Sequence, residues 1–352
     1  MLEEITNKVR VSIATIRGVT KTNNRLREIA SARENETLKE LNSNVNFREL
    51  IEGLPREYEW GKYENSAVLT RLYAVYERFV EDLIKEWLQL LPNLVPNYSD
   101  LEARIKNTHR EGVGRLLLEL NKRRFQNLSP EKIVKGLCEG VTGDGEYELI
   151  SEAFLLQEQN LRKDILEKLL ADAGIYDRTW NWVKKHREVK RFVEENQENE
   201  NTAEGELNQL IYYRNDAAHG FLDRIIGTQE LLDLTYFIES LCQALAELVT
   251  YRIISLQTRA GEAREIGKIT EWFKKPRAAV AIINDISLSV GDSLFLVSEE
   301  SSYCRLATIE SMKISDRSQQ QLQITAATEV GLKFDLDAKK GLTVIAPPNS
   351  LN

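Results

Sequence analysis

Cysteine is scarce in this chain, and its scarcity limits the classes of protein to which the chain can belong. Of 352 residues, three are cysteines, and Cys138, Cys242 and Cys304 lie far apart. An odd number of widely spaced cysteines excludes a disulfide framework and a CxxC metal pair. No group of His, Cys and Asp residues has metal-ligand spacing either. The sequence therefore predicts a cytoplasmic protein of a reducing compartment that uses no metal and no cofactor.

Long apolar runs are also absent. No run approaches the roughly 20 apolar residues that a membrane-spanning helix needs. The first residues are charged and amphipathic, and they lack the apolar centre of a secretory signal peptide. The G-x-x-x-x-G-K-[ST] loop of a nucleotide-binding P-loop does not occur. These absences predict a protein without a membrane span and without a P-loop GTPase.

Positive charge is in deficit, with 47 Lys and Arg against 55 Asp and Glu and a formal net charge of −8. Phosphate neutralisation supplies most of the affinity of non-specific nucleic-acid binders, which are usually basic. The deficit therefore counts against a DNA-coating protein, but it is compatible with an RNA enzyme that has a local basic cleft. Hydrophobic residues make up 42% of the chain, as in ordinary globular proteins, and the length suits about two domains.

Apolar residues recur with the helical period as far as about residue 262. Residues 1–33 carry one such stripe, and Tyr63–Leu91 carries a stronger one that we expect Pro92 to end. Further helices are predicted over residues 99–122, 129–139, 149–173, 177–196, 203–214 and 228–258. Ser129 precedes Pro130 as a helix start, and Gly174 is placed to end a helix.

Short strands are predicted after residue 262. Ala278–Ile283 is a compact apolar run, and Gly291-Asp292 marks a turn between two strand-like segments. Six or so such strands predict a small β-barrel. The predicted fold is mainly α: a helical domain over 1–258 with its core at about 60–258, a linker over 259–265 and a barrel over 266–348.

The residues that can carry chemistry lie in the segment LNQLIYYRNDAAHGFL, residues 207–222. His219 can accept and donate a proton near neutral pH, and Arg214 presents a charged fork that matches a phosphate. Asn215 and Asp216 are placed to orient the imidazole or to hold a substrate. Together these groups can move a proton from a ribose 2′-hydroxyl and stabilise a crowded phosphate without a metal ion.

The five-residue spacing is a weak signal by itself. On an ideal helix five residues rotate by about 140°, so Arg214 and His219 do not share a face. They converge only if the helix ends or bends there, as Gly220 would allow, or if a second copy completes the site. Arg104 and His109 have the same spacing, and for His109 an exposed helical position is expected. The alternative for the Arg214 pair is a basic surface at a helix end.

The surrounding segments resemble the HEPN superfamily. Residues 207–222 resemble its R-x-x-x-x-H motif, which has a polar residue after the arginine. Leu69–Leu88 resembles the family's early helix, and Glu158–Ile175 resembles the helix that precedes the motif in the RiboL-PSP-like branch. The order of these segments matches along residues 60–258.

This resemblance implies an all-α homodimer in which two motifs face each other and form one ribonuclease cleft. It implies metal-independent RNA cleavage that leaves a 2′,3′-cyclic phosphate. Arg214 would contact the scissile phosphate, His219 would transfer protons and Asn215 would support them. Glu77 and Asn160, in the two resembling helices, are weaker candidates.

One position departs from a known branch of the superfamily. HEPN toxins paired with nucleotidyltransferase antitoxins carry a tyrosine two residues after the histidine, where it is modified. This chain has Phe221 there. We therefore expect no tyrosine-modifying antitoxin to act at this position.

The last 80 or so residues resemble a second family. Ile266–Phe273 and the segments AVAII, LSVGDSLFLV, IESMKI and EVGLKF follow the order of the second, β-barrel domain of translation elongation factors. This resemblance implies a module that binds RNA, tRNA, a ribosome or a protein. It implies no catalytic group.

The basic run KKHREVKR predicts either a solvated helix face or a surface that follows an RNA backbone. Its basic side chains are Lys184, Lys185, Arg187, Lys190 and Arg191. Taken together, the sequence predicts an endoribonuclease of toxin or anti-phage defence type, with RNA and an antitoxin or defence protein as partners. The alternatives are a non-catalytic RNA- or ribosome-binding adaptor and a scaffold subunit of a defence complex.

Overall fold

The computed structural model describes residues 2–31, 49, 53–195, 202–220 and 224–348. The position of Phe221, residues 196–201 of the acidic stretch and residues 349–352 lie outside the described part. In that part the helices are α1 Leu2–Ser31, α2 Glu57–Leu94, α3 Ala103–Leu118, α4 Pro130–Thr142, α5 Ser151–Phe154, α6 Lys163–Asp172, α7 Thr179–Lys185, α8 Arg187–Glu195, α9 Ala203–His219 and α10 Thr228–Ala260. Two 3₁₀ turns occur at Tyr98–Asp100 and Arg123–Phe125.

Nine strands follow the last helix: β1 Arg264–Phe273, β2 Ala278–Ile283, β3 Ile286–Ser289, β4 Ser293–Ser298, β5 Tyr303–Ile314, β6 Arg317–Gln319, β7 Gln321–Ile324, β8 Thr328–Phe334 and β9 Thr343–Ala346. The predicted fold class is confirmed, because a mainly helical chain ends in an antiparallel β-barrel. In the described residues, no helix combines the length and apolarity that crossing a membrane requires.

The chain forms two compact units, and each is assembled from several stretches. The first contains Met1–Asp82, Gln159–Ile165 and Arg191–Gln243. The second contains Leu83–Glu158, Leu166–Lys190 and Ala244–Asn352, which includes the barrel.

In the first unit, α1 is held by both apolar and polar contacts. Its buried positions include Ile5, Val9, Ile13 and Ile16, at steps of four, four and three residues. Val19, which continues the stripe in sequence, is 52% exposed.

Polar contacts also hold α1. Arg27 of α1 forms an ion pair of 2.7 Å with the buried Glu64 of α2. Arg17 Nε donates to Thr235 Oγ1 of α10 at 2.7 Å.

Local signals for helix ends were partly right. The side chain of Ser129 accepts from Lys132 N at 3.1 Å and caps α4, and Gly174 follows α6 with φ of 74°. Pro92, however, lies inside the last turn of α2 and does not end it. Proline removes the hydrogen bond that its own N–H would donate to the carbonyl of Leu88, and α2 ends two residues later, at Leu94.

Two predicted helices are each divided. The region predicted as helix over 149–173 forms α5 and α6, with a non-helical segment between them. The region 177–196 forms α7 and α8, separated by His186 with an extended ψ of 131°. His186 is fully buried and its Nε2 lies 3.4 Å from Glu247 Oε2. Burial of this polar ring is a tertiary effect that helical periodicity does not record.

Six strands close the barrel in the order β4-β9-β1-β2-β8-β5, and β5 pairs with β4 to complete it. β6 extends β5, and β3 pairs with β7 as a separate two-stranded sheet. The core of the barrel is formed by buried side chains such as Ile269, Ala281, Leu296 and Leu332. Gly267 lies at a bulge in β1, where a Cβ would stand 1.9 Å from Ile282 O, so a larger residue would separate the strands.

Candidate functional site

Helix α9 carries the two residues predicted to be catalytic. The side chain of its N-cap, Thr202, accepts from Gly205 N at 3.1 Å, and the helix then runs without interruption to His219. Gly220, with φ of 77°, ends the helix in the left-handed conformation that glycine adopts without strain. The break at Gly220 therefore comes after Arg214 and His219, and not between them.

Helical geometry separates Arg214 from His219. Five residues of a continuous α-helix turn by about 140° and rise by about 7.5 Å. Arg214 is partly buried, whereas His219 is exposed. The helix ends at Gly220, as the sequence allowed, but it has no bend between Arg214 and His219 that would bring the two side chains together.

The guanidinium of Arg214 contacts neutral groups. Its Nη1 donates to Asn215 Oδ1 at 3.0 Å and lies 3.4 Å from Asn160 Oδ1. Asn160 Nδ2 also donates to Asn215 Oδ1, at 3.3 Å. The guanidinium carbon lies 4.7 Å from the centre of the Tyr73 ring. Among the described residues, no carboxylate forms an ion pair with Arg214, so its positive charge is not neutralised by a side chain.

Asn160 reaches this cluster from a non-helical segment, although the sequence placed it in a helix. Both backbone groups of the next residue, Leu161, are bound by tyrosines of α2. Leu161 N donates to Tyr73 Oη and Tyr76 Oη donates to Leu161 O, each at 3.1 Å. A buried backbone group needs a hydrogen-bond partner. These two hydroxyls replace the helical partners of Leu161 and so stabilise the non-helical backbone here. Arg162 Nη1 donates to Asn208 Oδ1 of α9 at 3.0 Å, which also holds the segment.

Tyr73 and Glu77 lie beside the cluster on α2. Tyr73 Oη donates to Glu77 Oε1 at 3.2 Å. Burial raises the pKa of Tyr73 to about 12, so its hydroxyl keeps its proton near neutral pH. Glu77 was predicted from the sequence as a candidate residue, whereas Tyr73 was not. The available signal was the four-residue spacing of Tyr73 and Glu77, which places both on one helix face.

The exposed side of α9 carries the remaining predicted residues. Asn215 and His219 are four residues apart and are therefore neighbours on the helix surface. Tyr212, seven residues before His219, has nearly the same direction and is 60% exposed. Asp216 is partly buried, and its side chain has no hydrogen bond to the Arg214 cluster. Asn215 thus lies next to both predicted catalytic residues.

The second pair with the same spacing has different surroundings. His109 is fully buried, not exposed as expected, and its Nε2 accepts from Ile150 N at 3.2 Å. Its Nδ1 lies 3.2 Å from Tyr98 Oη, and its ring stacks on Phe154. Burial lowers the pKa of His109 to about 4, so the ring is neutral near pH 7. Arg104 forms ion pairs with two aspartates, at 2.8 and 3.1 Å.

The basic run is only partly a surface. Lys184, Lys185, Lys190 and Arg191 are exposed. Arg187 is bound on both nitrogens of its fork by Glu247 and lies 4.9 Å from the ring centre of Tyr303. Burial opposes ionisation of Glu247, but the hydrogen bonds and charge of Arg187 hold its pKa at about 2. This ion pair occupies the charged head of Arg187, whereas the other four basic side chains of the run are exposed.

Comparison with known proteins identifies one family. The model of the RiboL-PSP-HEPN family matches residues 25–251 of the chain. This range contains the whole Arg214 cluster and all of α9. Neither a curated protein nor a solved structure matches the chain. Throughout the part that the structure describes, no three His, Cys, Asp or Glu side chains lie close enough to hold a metal ion.

Proposed function

The chain belongs to the RiboL-PSP-HEPN family, since the match over residues 25–251 covers more than half of it, and from that premise we propose that it is a metal-independent endoribonuclease. The observation that carries the proposal is the state of Arg214. Its charge is partly buried and faces two amide oxygens and an aromatic ring. A phosphate supplies the negative charge that these neutral groups lack, and a guanidinium fork matches its oxygens.

In the proposed reaction the RNA provides its own nucleophile. The ribose 2′-oxygen bonds to the adjacent phosphorus, and the bond from phosphorus to the 5′-oxygen breaks. One proton leaves the 2′-hydroxyl and one is delivered to the departing 5′-oxygen. Arg214 contacts the phosphate, Asn215 and Asn160 hold Arg214, and His219 transfers protons. The products are a 2′,3′-cyclic phosphate and a 5′-hydroxyl end.

The proposed enzyme is a homodimer. Because Arg214 and His219 differ by about 140° around α9, one chain does not direct both side chains at one phosphate. In the dimer, Arg214 of one protomer acts with His219 of the partner subunit. The stripe of α9 that contains the exposed Tyr212 and His219 and the partly buried Asn215 lies at this interface or against the RNA. A two-fold arrangement creates two such pairs from one surface.

The barrel is proposed as the part that selects the target RNA or holds an inhibitory protein partner. Its support is the resemblance of five short segments between Ile266 and Phe334 to the second domain of translation elongation factors. The proposed setting is a cytoplasmic toxin or an anti-phage defence effector. Lys184, Lys185, Lys190 and Arg191 are proposed to add a weak, salt-dependent contact to RNA.

The test is cleavage of RNA by the full chain in excess EDTA, with the product ends identified by mass spectrometry. We expect a 2′,3′-cyclic phosphate. R214A and H219A are then assayed separately. The two variants are also co-expressed, so that mixed dimers form, and this mixture is assayed as well. If the pair is shared between protomers, the mixture recovers up to roughly a quarter of wild-type activity, because half of the dimers are mixed and each holds one intact pair.

Three results contradict the proposal. Cleavage that requires a divalent metal contradicts the mechanism. RNA that binds with salt-dependent affinity but stays intact indicates an adaptor. Activity that survives both substitutions excludes Arg214 and His219 as the catalytic residues. A mixture as inactive as its components contradicts the shared pair alone, since cleavage by the wild type would still stand.

A further inference from the structure

We infer that Tyr73 is the positioning residue of this site, because one side chain holds both Arg214 and the segment that carries Asn160. The inference rests on the proposed function for its effect on cleavage. Its geometric part does not depend on that function, because it concerns where Arg214 and Leu161 are held. Tyr73 itself touches neither a phosphate nor a ribose in this scheme and acts through Arg214.

The first contact is between the ring of Tyr73 and the guanidinium of Arg214. The guanidinium carbon lies 4.7 Å from the ring centre, within the range of a cation–π interaction. Tyr73 is 1% exposed and lies in the middle of α2, so its ring is fixed by packing. A fixed ring limits the rotamers of the long Arg214 side chain, which no carboxylate of the described residues restrains. Arg214 is thereby prepared for a phosphate before RNA binds.

The second contact is between the hydroxyl of Tyr73 and the backbone of Leu161. Tyr73 Oη accepts from Leu161 N at 3.1 Å while it donates to Glu77 Oε1 at 3.2 Å. Leu161 follows Asn160 directly, so this bond fixes the position of the backbone from which the Asn160 side chain contacts Arg214. The acceptor role toward Leu161 and the donor role toward Glu77 use the hydroxyl fully. Glu77 acts here as the group that orients the Tyr73 hydroxyl.

Tyr76 provides a matched comparison within the same helix. It is also fully buried, and its hydroxyl donates to the carbonyl of the same residue, Leu161, at 3.1 Å. Its contacts do not include Arg214. Tyr147 is a second control, since it is buried in the other unit and its hydroxyl donates to Val95 O at 2.7 Å. These three tyrosines separate the arginine contact from the loss of a buried hydroxyl.

The kinetic test measures kcat and KM for RNA cleavage by Y73F, Y73L, Y76F and Y147F as full chains. We expect Y73L to lower kcat by about 100-fold. Without the Tyr73 ring, the Arg214 guanidinium should move from its position, and a displacement of about 1 Å can have an effect of that size. Y73F keeps the ring and loses one hydrogen-bonding group, so we expect a loss of about tenfold or less. Y147F should retain wild-type kcat. A Y73L enzyme no slower than Y76F overturns the inference.

The second readout needs no activity. In an NMR spectrum, the Arg214 Nε–H proton should be shifted upfield by the Tyr73 ring, retained in Y73F and lost in Y73L. Hydrogen exchange at the Leu161 amide should be faster in Y73F than in the wild type. If the wild type cleaves no RNA, the proposed function fails while these signals still decide the positioning role. An Arg214 signal without an upfield shift in the folded wild type overturns it, even if Y73L does not fold.

Discussion

Two arginine–histidine pairs in this chain have the same five-residue spacing and opposite surroundings. Arg104 is matched by two aspartates, and His109 is buried with both ring nitrogens engaged. Arg214 is matched by amide oxygens and an aromatic ring, and His219 is exposed. In the first pair the guanidinium is paired with carboxylates and both imidazole nitrogens have partners within the protein. In the second pair, no described carboxylate is paired with the guanidinium and the imidazole is exposed.

The difference shows that motif spacing alone does not identify a functional pair, because the same spacing occurs in two opposite chemical surroundings. A neutral, buried imidazole stabilises a fold, and a doubly paired guanidinium is already neutralised. An exposed imidazole contributes little to stability, and a guanidinium that no described carboxylate pairs with can bind a phosphate. The same two residue types are therefore structural in one region and candidates for chemistry in the other. The predictions below test this contrast.

The largest effect is expected on RNA cleavage. H219A and R214A should each lower kcat by about 10²–10⁴-fold, because a proton-transfer group or a phosphate contact is lost. R104A, the corresponding substitution in the Arg104–His109 pair, should retain wild-type kcat. Rates are measured in EDTA under single-turnover conditions. If R104A loses as much activity as R214A, the contrast between the pairs is false.

The next largest effect is on stability, where we expect the Arg104–His109 pair, and not the Arg214–His219 pair, to be sensitive to substitution. H109A should lower the free energy of unfolding by about 2–4 kcal/mol, since Ile150 N loses its acceptor and a cavity forms. H219A should change it by about 0.5 kcal/mol or less, as expected for an exposed side chain. Urea denaturation followed by circular dichroism measures both. Equal destabilisation by the two substitutions would contradict the assignment of His109 as structural.

The pH dependence of stability should also reveal His109. Burial lowers its pKa from 6.5 to about 4, so the folded state binds fewer protons than the unfolded state between these values. Stability from this group is complete above pH 6.5 and is lost as the pH falls toward 4, by up to roughly 3 kcal/mol. H109Q removes the titrating group. Unfolding free energies at pH 7.5 and 4.5 should therefore differ less in H109Q than in the wild type.

The smallest effect comes from giving Arg214 the kind of partner that Arg104 has. N160D places a carboxylate beside Arg214 Nη1, which should lower kcat/KM for RNA by roughly 10- to 100-fold, the worth of one charged hydrogen bond. N208D adds the same charge on α9, where Arg162 receives it, and should have a smaller effect. Cleavage by N160D at the wild-type rate would show that the uncompensated charge of Arg214 does not matter.

Local patterns predicted much of the fold and part of the site. Periodicity located α1, α2, α9 and α10, and alternation with turn residues predicted the barrel, because both depend on neighbours in sequence. Where polar rings are buried, as at His186, periodicity failed. It also failed between α5 and α6, since the bonds from Tyr73 and Tyr76 to Leu161 span 88 and 85 residues. No local signal records such bonds.

The amino-acid sequence alone determined the family resemblance, the mainly helical class with its C-terminal barrel, and the identity of Arg214, Asn215 and His219 as candidates. These follow from residue order and short-range geometry. Only the tertiary structure decided that no carboxylate of the described residues pairs with Arg214, that Tyr73 and Asn160 contact it and that His109 is buried. Each of these depends on which distant segments meet, and the free energy of a charge is set by those neighbours rather than by its place in a motif.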